Sequence, residues 1–287
     1  MLRAPLSLLL AAAAGVAAAA DPPLPPSAAD LTGARALALA AYRGLAGGNE
    51  GILLNPAALA ARRRYTVEFQ YLQERLGGAR EAQALQGSVV DSETMGATGG
   101  LAYTRLLEGP TTGNLYHLAL AAPVGGGLYA GVTGKFLDLT GAGGEREGAA
   151  TVDAGLLWQA SQLVAVGVAG YNLVPVNHPA DAPRGAGAGI SVGDEQRFHV
   201  AADWRTDWDR VGHRTDSWAV GAELLLGDLV PVRAGFLKDG TRGARFWSGG
   251  LGLVTTGGLA VDLSYRQSLT DPLDRTFGAA LKLQLLQ

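Results

Sequence analysis

Residues 49–71, NEGILLNPAALAARRRYTVEFQY, contain two patterns that belong to different kinds of secondary structure. The first half is rich in Ala and Leu around an Asn-Pro pair, whereas apolar and polar residues alternate one by one from Tyr65 onward. Asn55 is a good helix N-cap, Pro56 suits the first helical position, and the alanines that follow favour helix. The basic run 62–64 suits the end of a helix, where positive charge is favourable. We therefore predict a short helix that runs almost directly into a strand.

The alternation that starts at Tyr65 continues with a period of two to the end of the chain. Its clearest segments are 65–72, 128–137, 151–159, 197–204, 217–225, 259–266 and 276–286. One parity of these segments is almost purely apolar and the other holds small or charged residues, which predicts strands with one apolar and one polar face. About fourteen such runs occupy residues 64–287, which gives about 16 residues for each strand with its turn. Because a tilted strand of roughly 9–11 residues crosses a bilayer, each unit is long enough for one membrane-crossing strand and a short connection.

The composition indicates where the apolar strand face lies. The chain has 42 glycines among 287 residues, 17% charged residues and no cysteine. Its mean hydropathy is positive, yet after the first twenty residues no apolar run is long enough for a membrane helix. A soluble β-sandwich normally has strands of roughly 5–6 residues, and a soluble propeller needs a repeat of about forty residues, which the sequence lacks. We therefore favour a transmembrane antiparallel β-barrel of about 14 strands over these two soluble all-β folds.

The first twenty residues have the three parts of a secretory signal peptide. Arg3 supplies the positive charge, residues 6–14 the apolar segment, and small residues form a cleavage site before Asp21. The alternative, an uncleaved signal anchor, is disfavoured because the apolar run is short, rich in Ala and followed at once by an Asp-Pro-Pro sequence. We predict cleavage near Ala20 and export from the cytoplasm.

Charge and motifs exclude several classes of function. A formal net charge of −3 without a basic stripe gives nucleic acid nothing to bind. The four histidines show no metal-ligand spacing, and no nucleophile motif such as G-x-S-x-G is present. Asn-Pro-Ala also occurs in aquaporins, but those proteins need two copies and six membrane helices, and this sequence has one copy. We therefore expect a protein that is not an enzyme and that uses neither a metal nor a cofactor.

The order of these features resembles a known family. Residues 33–60, GARALALAAYRGLAGGNEGILLNPAALA, followed at once by the first strand, look like the amino-terminal region of FadL-type outer-membrane transporters and the related PorV/PorQ group. Residues 229–237, LVPVRAGFL, are similar to a late strand of those proteins. The resemblance implies a signal peptide over 1–20, a helical N-terminal plug over 21–63, and a fourteen-stranded barrel over 64–287 in a Gram-negative outer membrane.

The resemblance also implies roles for particular residues. It places the plug motif at Asn55, Pro56 and Ala57. The family has a lateral opening at a kink in the third strand, where Gly99 and Gly100 are the matching candidates, although both are also compatible with ordinary strand glycines. This chain departs from FadL proteins proper in being shorter, with little room for large capture loops, and in ending on Gln287 rather than on an aromatic residue. A high-affinity capture site on the surface is therefore not expected.

Single charged residues on the small-residue parity should point into the lumen: Glu68, Lys135, Asp153, Arg197, Asp203, Glu223, Arg233, Asp262, Arg266 and Lys282. Because an isolated buried charge is costly, we expect opposite charges on adjacent strands to pair. The alternative is that they line a selective pore or form the surface on which the plug packs. We interpret the glycines of the same parity as leaving room for these side chains and allowing strands to bend: Gly131, Gly155, Gly221, Gly235 and Gly278.

Two functions follow from the resemblance. The first is a passive channel for hydrophobic or amphipathic small molecules, whose passage the plug controls. The second is a non-conducting barrel, either a partner or shuttle for secreted proteins or a structural protein sealed by its plug. We favour the channel, with outer-membrane lipid and a hydrophobic ligand as its partners. An apolar pocket between plug and wall would support it.

Overall fold

The computed structural model of the protein describes residues 30–77, 80–93, 96–109, 111–141, 143–177, 179–194 and 197–285. The predicted signal peptide and the first nine residues of the predicted plug lie outside these ranges, as does His178. No helix in the described part of the chain is both long and apolar enough to cross a membrane. The architecture is a closed antiparallel β-barrel with short helices inside it.

Fourteen strands in the described residues form the barrel, which confirms the predicted count. Each strand pairs with the strands before and after it, and the first pairs with the last. The strands are β1 Tyr65–Leu76, β2 Arg80–Asp91, β3 Thr98–Glu108, β4 Thr111–Gly125, β5 Leu128–Gly141, β6 Arg146–Gln159, β7 Val164–Tyr171, β8 Gly185–Asp194, β9 Phe198–Asp207, β10 Thr215–Leu226, β11 Val230–Asp239, β12 Ala244–Val254, β13 Leu259–Ser268 and β14 Arg275–Leu285. The predicted helix-to-strand junction is present, because β1 begins at Tyr65.

The burial pattern of the strands is the inverse of that in a water-soluble protein. In β1, Glu68 is 2% exposed, whereas the adjacent Phe69 is 62% exposed. In β4, likewise, His117 is buried and Leu118 is exposed. Charged and small residues thus point into the lumen, and Val, Leu, Phe and Trp form the outer surface. Because soluble proteins rarely expose so large a contiguous apolar surface, this surface suits the hydrocarbon core of a membrane.

The two ends of the barrel differ in the length of their connections. Tyr65 lies opposite Leu285, so the barrel begins and ends at the same end, called the terminal end, where connections between strands are short. At the opposite end, called the loop end, the β7–β8 connection covers residues 172–184 and the β9–β10 connection residues 208–214. Bacterial outer-membrane barrels have short periplasmic turns and longer extracellular loops, so the loop end resembles the extracellular side of those barrels.

Three short helices lie inside the barrel: α1 Ala34–Leu39, α2 Gly51–Leu54 and a 3₁₀ helix Pro56–Ala61. Helix α1 packs mainly on β11, β12 and β13, and the 3₁₀ helix packs mainly on β4, β5 and β6. The 3₁₀ helix is the one that the Asn-Pro-Ala sequence predicts, and the Asn55 side-chain oxygen Oδ1 accepts a hydrogen bond from the Ala57 backbone nitrogen at 3.2 Å.

The chain before β1 runs through the lumen from one end to the other. Residues 30–63 are called the plug below. The plug starts near the loop end, where Asp30 contacts the β9–β10 and β11–β12 connections. It ends near the terminal end, where the backbone nitrogen of Arg64 donates to Ser92 Oγ at 2.6 Å.

Candidate functional site: the lumen and its plug

The inward-facing glycines of the wall make room for the backbone of the plug. A Cβ atom on Gly131 would lie 2.5 Å from the backbone carbon of Pro56, and one on Gly235 would lie 2.6 Å from the carbonyl oxygen of Leu39. The same close approach to the plug occurs at Gly155 and Gly221. The interpretation that these glycines leave room for charged side chains is therefore corrected, since most of them accommodate the plug.

A buried ion-pair cluster joins α1 to the wall. Glu223 of β10 contacts Arg35 of α1, with Oε1 and Nη2 2.8 Å apart, and it also contacts Arg233 of β11. Arg233 in turn contacts Asp262 of β13. Glu223, Arg233 and Asp262 are all buried. Opposite charges on neighbouring parts of the wall thus pair with one another, and the same cluster holds the plug.

Asp203 of β9 fixes the plug through its backbone. The carboxylate accepts hydrogen bonds from the backbone nitrogens of Tyr42 at 2.7 Å and Arg43 at 3.0 Å, and it pairs with the Arg43 guanidinium at 3.1 Å. Arg43 also donates to the Tyr171 hydroxyl at 2.6 Å, which donates to the Leu54 carbonyl oxygen at 2.6 Å. Hydrogen bonds to a charged acceptor are strong in a poorly solvated site, so this network holds the middle of the plug in one position.

Asn55 does more than cap the 3₁₀ helix. Its side-chain nitrogen Nδ2 donates to the carbonyl oxygens of Arg43 at 2.9 Å and of Leu156 in β6 at 3.2 Å. The three residues of the predicted plug motif, Asn55, Pro56 and Ala57, are all buried. Asn55 therefore connects two separate parts of the plug to each other and to the wall.

The other inward charges pair within the wall. Lys282 Nζ lies 2.9 Å from Glu68 Oε2 across the β14–β1 seam, and Lys135 Nζ lies 2.7 Å from Asp153 Oδ1. Arg266 Nη2 lies 2.9 Å from Glu74 Oε1. These pairs neutralise charges that would otherwise be isolated in the lumen.

Two residues differ from the predicted arrangement. Arg197 is exposed in the turn before β9, whose first residue is Phe198, so its predicted position in the lumen is wrong. The alternation extends through Arg197 in the sequence, but the strand starts one residue later. Gly278 lies closest to the hydroxyl of Ser264 on the adjacent strand and not to a charged side chain.

A second ion-pair cluster holds the start of the plug at the loop end. Asp30 Oδ2 lies 2.7 Å from Arg210 Nη2 and 2.8 Å from Arg242 Nη2. Arg242 also pairs with the wall, because its Nη1 lies 2.8 Å from Glu74 Oε1. Burial raises the pKa of Asp30, but the two guanidinium groups outweigh burial and hold that pKa well below its usual value. Residues 30–32 are called the mouth segment below.

The β7–β8 connection folds over part of the lumen at the loop end. The Val174 carbonyl oxygen accepts a hydrogen bond from Thr151 of β6 at 2.7 Å, and Asp181 accepts one from Thr111 at 3.3 Å. Ala182 is buried against leucines of β3, β4 and β5. The connection and the mouth segment therefore each cover part of the loop end.

Three small cavities border the mouth segment. The first, of about 50 Å³, lies between the plug and the wall and is largely apolar. The second has a volume of about 100 Å³ and borders the Asp30 ion pairs, and the third, of about 60 Å³, lies beneath the β7–β8 connection. Leu31 lines the first and third cavities, and Asp30 lines the first and second. The apolar side chains of the first cavity are Leu31, Leu37, Leu72, Ala82, Ala84 and Leu106.

Metal-binding groups are not assembled in the part of the chain that the structure describes. No group of three or more His, Asp or Glu side chains is placed there to hold a metal ion. His117 lines the third cavity, His199 lies beside Glu223, and His213 is exposed at the loop end. The arrangement offers small cavities at the loop end, one with a mostly apolar surface and two with mixed surfaces.

Solved structures of outer-membrane proteins share this architecture, and three of them match as follows. The Ralstonia pickettii toluene transporter TbuX matches with a TM-score of 0.66 at 12% sequence identity, over 88% of this chain and 97% of that chain. A Pseudomonas aeruginosa FadL homologue matches with a TM-score of 0.63 at 13% sequence identity, over 88% of this chain and 97% of that chain. The Pseudomonas putida toluene transporter TodX matches with a TM-score of 0.61 at 11% sequence identity, over 90% of this chain and 98% of that chain. The chain has the FadL-type barrel fold. No protein-family model matches the sequence, and no curated protein matches it by sequence.

In this FadL-type fold, Gly99 and Gly100 lie at the start of the third strand, where the sequence predicts them. Both pair with β2 on one side and with β4 on the other, so the described ladder is closed at this point. A Cβ atom on Gly99 would meet no atom within 4 Å, whereas one on Gly100 would lie 3.0 Å from Ile52 of α2. The role of these glycines in a lateral opening stays a prediction.

Several residues that hold the plug of this FadL-type barrel are missed by the sequence reasoning: Asp30, Tyr171, Arg210 and Arg242. Arg210 and Arg242 lie in connections outside the alternating segments, 180 and 212 residues from Asp30 along the chain. Nothing in their local sequence distinguishes them from ordinary loop charges. Tyr171 ends an alternating run, but its partners lie on the plug and follow no local spacing.

Proposed function

We propose that this protein is a plugged outer-membrane channel for the passive passage of small hydrophobic or amphipathic molecules, and that a cleaved signal peptide exports it. The observation that carries the proposal is the apolar cavity between Leu31 and Leu37 of the plug and the leucines of the wall. An apolar solute gains about 25 cal/mol for each Å² that it removes from water in such surroundings. The fold neighbours TbuX and TodX, both named as toluene transporters, agree with a hydrocarbon as the solute.

Such a channel is closed in this conformation. The apolar cavity of about 50 Å³ is smaller than the roughly 150 Å³ cavity that binds benzene in an engineered protein. Because Leu31 separates the apolar cavity from the cavity beneath the β7–β8 connection, movement of the mouth segment would join them. We therefore place the entrance at the loop end and the movable part in the mouth segment.

Whole-cell uptake of radiolabelled toluene tests this function. The protein is expressed in a Gram-negative host without FadL-type proteins, whose lipopolysaccharide leaflet slows free diffusion of apolar solutes. We expect uptake several times faster than in cells with an empty vector. Leu31→Trp should return uptake close to the vector level because the larger side chain fills the entrance, and Leu269→Trp, on an exposed loop leucine, should not. Uptake equal to the vector level in the wild type would contradict the channel.

A second candidate is a non-conducting barrel that binds secreted proteins or serves a structural role. It is favoured by one observation, namely that the luminal cavities are small and most inward charges are paired with one another. Native mass spectrometry of the purified protein separates the candidates. A bound hydrophobic small molecule supports the channel, whereas a bound protein without such a ligand supports the second candidate.

A further inference from the structure

One luminal cavity carries buried polar atoms that lack partners. The cavity of about 60 Å³ beneath the β7–β8 connection is lined on its polar side by these residues: Arg43, His117, Lys135, Tyr171, Asn172, Asp181 and Arg205. His117 is 7% exposed and Asn172 is 5% exposed. Within the described residues, neither His117 Nδ1 nor Asn172 Oδ1 has a hydrogen-bond partner. The apolar side of the cavity consists of Leu31, Leu53, Leu54, Leu115, Leu137 and Ala182.

The neighbours of Asn172 determine what its free atom can do. Asn172 Nδ2 donates to the Pro183 carbonyl oxygen at 2.7 Å, which leaves Oδ1 as a free acceptor. The Asn172 backbone nitrogen donates to Asp153 Oδ1 at 2.7 Å, and Lys135 Nζ lies 2.7 Å from the same oxygen. Asp153 Oδ2, the other oxygen of that carboxylate, is also without a partner among the described residues. The charge of Lys135 is therefore neutralised, and two of the three free atoms in this cluster are acceptors.

The chemistry of these free atoms selects one kind of ligand group. Buried polar atoms are nearly always hydrogen-bonded in folded proteins, and a pure hydrocarbon in this cavity would leave them without partners. A carboxylate would bring further acceptor oxygens toward the oxygens of Asn172 and Asp153. The cations that line the cavity are already paired: Lys135 with Asp153, Arg43 with Asp203, and Arg205 with Asp207. A hydroxyl group both donates and accepts, so it can donate to Asn172 Oδ1, and it can accept from His117 Nδ1 when that nitrogen carries the proton.

We propose that this cavity binds the hydroxyl group of a small, otherwise apolar molecule such as an alcohol or a phenol. The inference rests on the proposed function and names the solute class of that channel. The leucines take up the hydrocarbon part, and His117 and Asn172 distinguish a hydroxylated solute from a hydrocarbon of the same shape. The cavity holds the hydroxyl end, and movement of Leu31 in the mouth segment admits the rest.

Phenol and toluene form a matched pair of probes, because they differ only in a hydroxyl and a methyl group on the same ring. Binding is measured by isothermal titration calorimetry on the full protein in detergent, with the heat of the same titration into empty micelles subtracted. We expect the Kd for phenol to be at least about tenfold lower than that for toluene, since a site with unpaired polar groups rejects the analogue that cannot satisfy them. Benzoate, ionised at pH 7.5, should bind more weakly than phenol.

The variant His117→Leu tests whether His117 causes the preference for phenol over toluene. We expect it to raise the Kd for phenol about tenfold while the Kd for toluene changes less than about twofold, and His117→Gln, which keeps a hydrogen-bonding group, should retain most of the preference. His213→Leu makes the same change at an exposed position and should leave both values unchanged.

Failure of this inference and failure of the channel give different results. Binding of toluene as tight as that of phenol, tightest binding of benzoate, or an unchanged phenol preference in folded His117→Leu would each overturn the hydroxyl site and leave the channel standing. Binding of neither phenol nor toluene would overturn the proposed function together with the site. The ranking of the three probes on the wild type decides the matter even if a variant fails to fold.

Discussion

The mouth segment and the rest of the plug are held in different ways. Residues 30–32 border three cavities, and the Asp30 side chain that ties them to the barrel is 15% exposed. From Ala34 to Ala61, by contrast, the backbone lies against wall glycines, and the Asp203 carboxylate that holds it is 2% exposed. Movement of the mouth segment breaks the ion pairs of one carboxylate, whereas movement of the later part breaks close packing and several buried hydrogen bonds. The difference indicates a plug with a movable entrance and a fixed seal.

The largest expected effect is on the fixed part. Arg233→Leu leaves Asp262 buried without the guanidinium that it contacts, and breaking one side of a buried ion pair costs about 3–5 kcal/mol. For a chain of this size that corresponds to a fall in Tm of about 10 °C, measured by circular dichroism in detergent. Arg146→Leu removes an exposed guanidinium that pairs with Asp138 at 2.8 Å and should change the Tm little. An unchanged Tm for Arg233→Leu would show that the buried cluster does not stabilise the barrel.

A smaller effect is expected from one added methyl group against the seal. Gly131→Ala places a Cβ atom against the Pro56 backbone, which cannot rotate away, and overpacking of this kind costs about 1–3 kcal/mol. We expect the Tm to fall by about 5 °C. Gly99→Ala is the matched control, because its Cβ atom meets open space. Equal Tm values for the two variants would mean that the plug does not press on the wall at Gly131.

The mouth segment should respond in function more than in stability. Asp30→Asn removes the charge that faces Arg210 and Arg242, so the mouth segment is released more easily. We expect toluene uptake by whole cells to rise at least about twofold while the Tm falls less than in Arg233→Leu, because the amide still accepts hydrogen bonds from the two guanidinium groups. Asp228→Asn, in an exposed turn at the terminal end, should alter neither quantity. A large loss of Tm with no gain in uptake would place Asp30 in the fixed seal instead.

The smallest effect concerns Asp274 in the β13–β14 connection at the loop end. Burial raises the pKa of Asp274 to about 6, with Glu74 and Asp271 acting in the same direction and Arg242 and Arg266 in the opposite one. Because the unfolded-state pKa is about 4, the folded protein binds more protons between pH 4 and pH 6, and its stability falls as the pH rises through that window. Asp274→Asn should therefore raise the Tm by about 2 °C at pH 7.5 and by nothing at pH 4. An equal change at both pH values would contradict the titration.

Much of the barrel can be predicted from the sequence because its decisive patterns are local. The alternation from Tyr65 and the Asn55-Pro56 cap depend on neighbouring residues, and they predict the strands, the lumen-facing parity and the last helix of the plug. The contacts of the plug depend on residues far apart in the chain. Sequence periodicity therefore shows that Gly131 faces the lumen, but it does not show that Pro56 of the plug packs against Gly131. For the same reason the ion pairs of Asp30 and the free atoms of His117 and Asn172 have no sequence signal.

Hydrogen–deuterium exchange followed by mass spectrometry tests the difference between the two parts of the plug most directly. The full protein in detergent is compared with and without saturating toluene, and the amides of residues 30–33 are compared with those of 55–61. We predict that toluene changes exchange in the first peptide only, because the mouth segment moves to admit the ligand while the 3₁₀ helix stays in place. Equal changes in both peptides, or a change confined to residues 55–61, would contradict a movable entrance above a fixed seal.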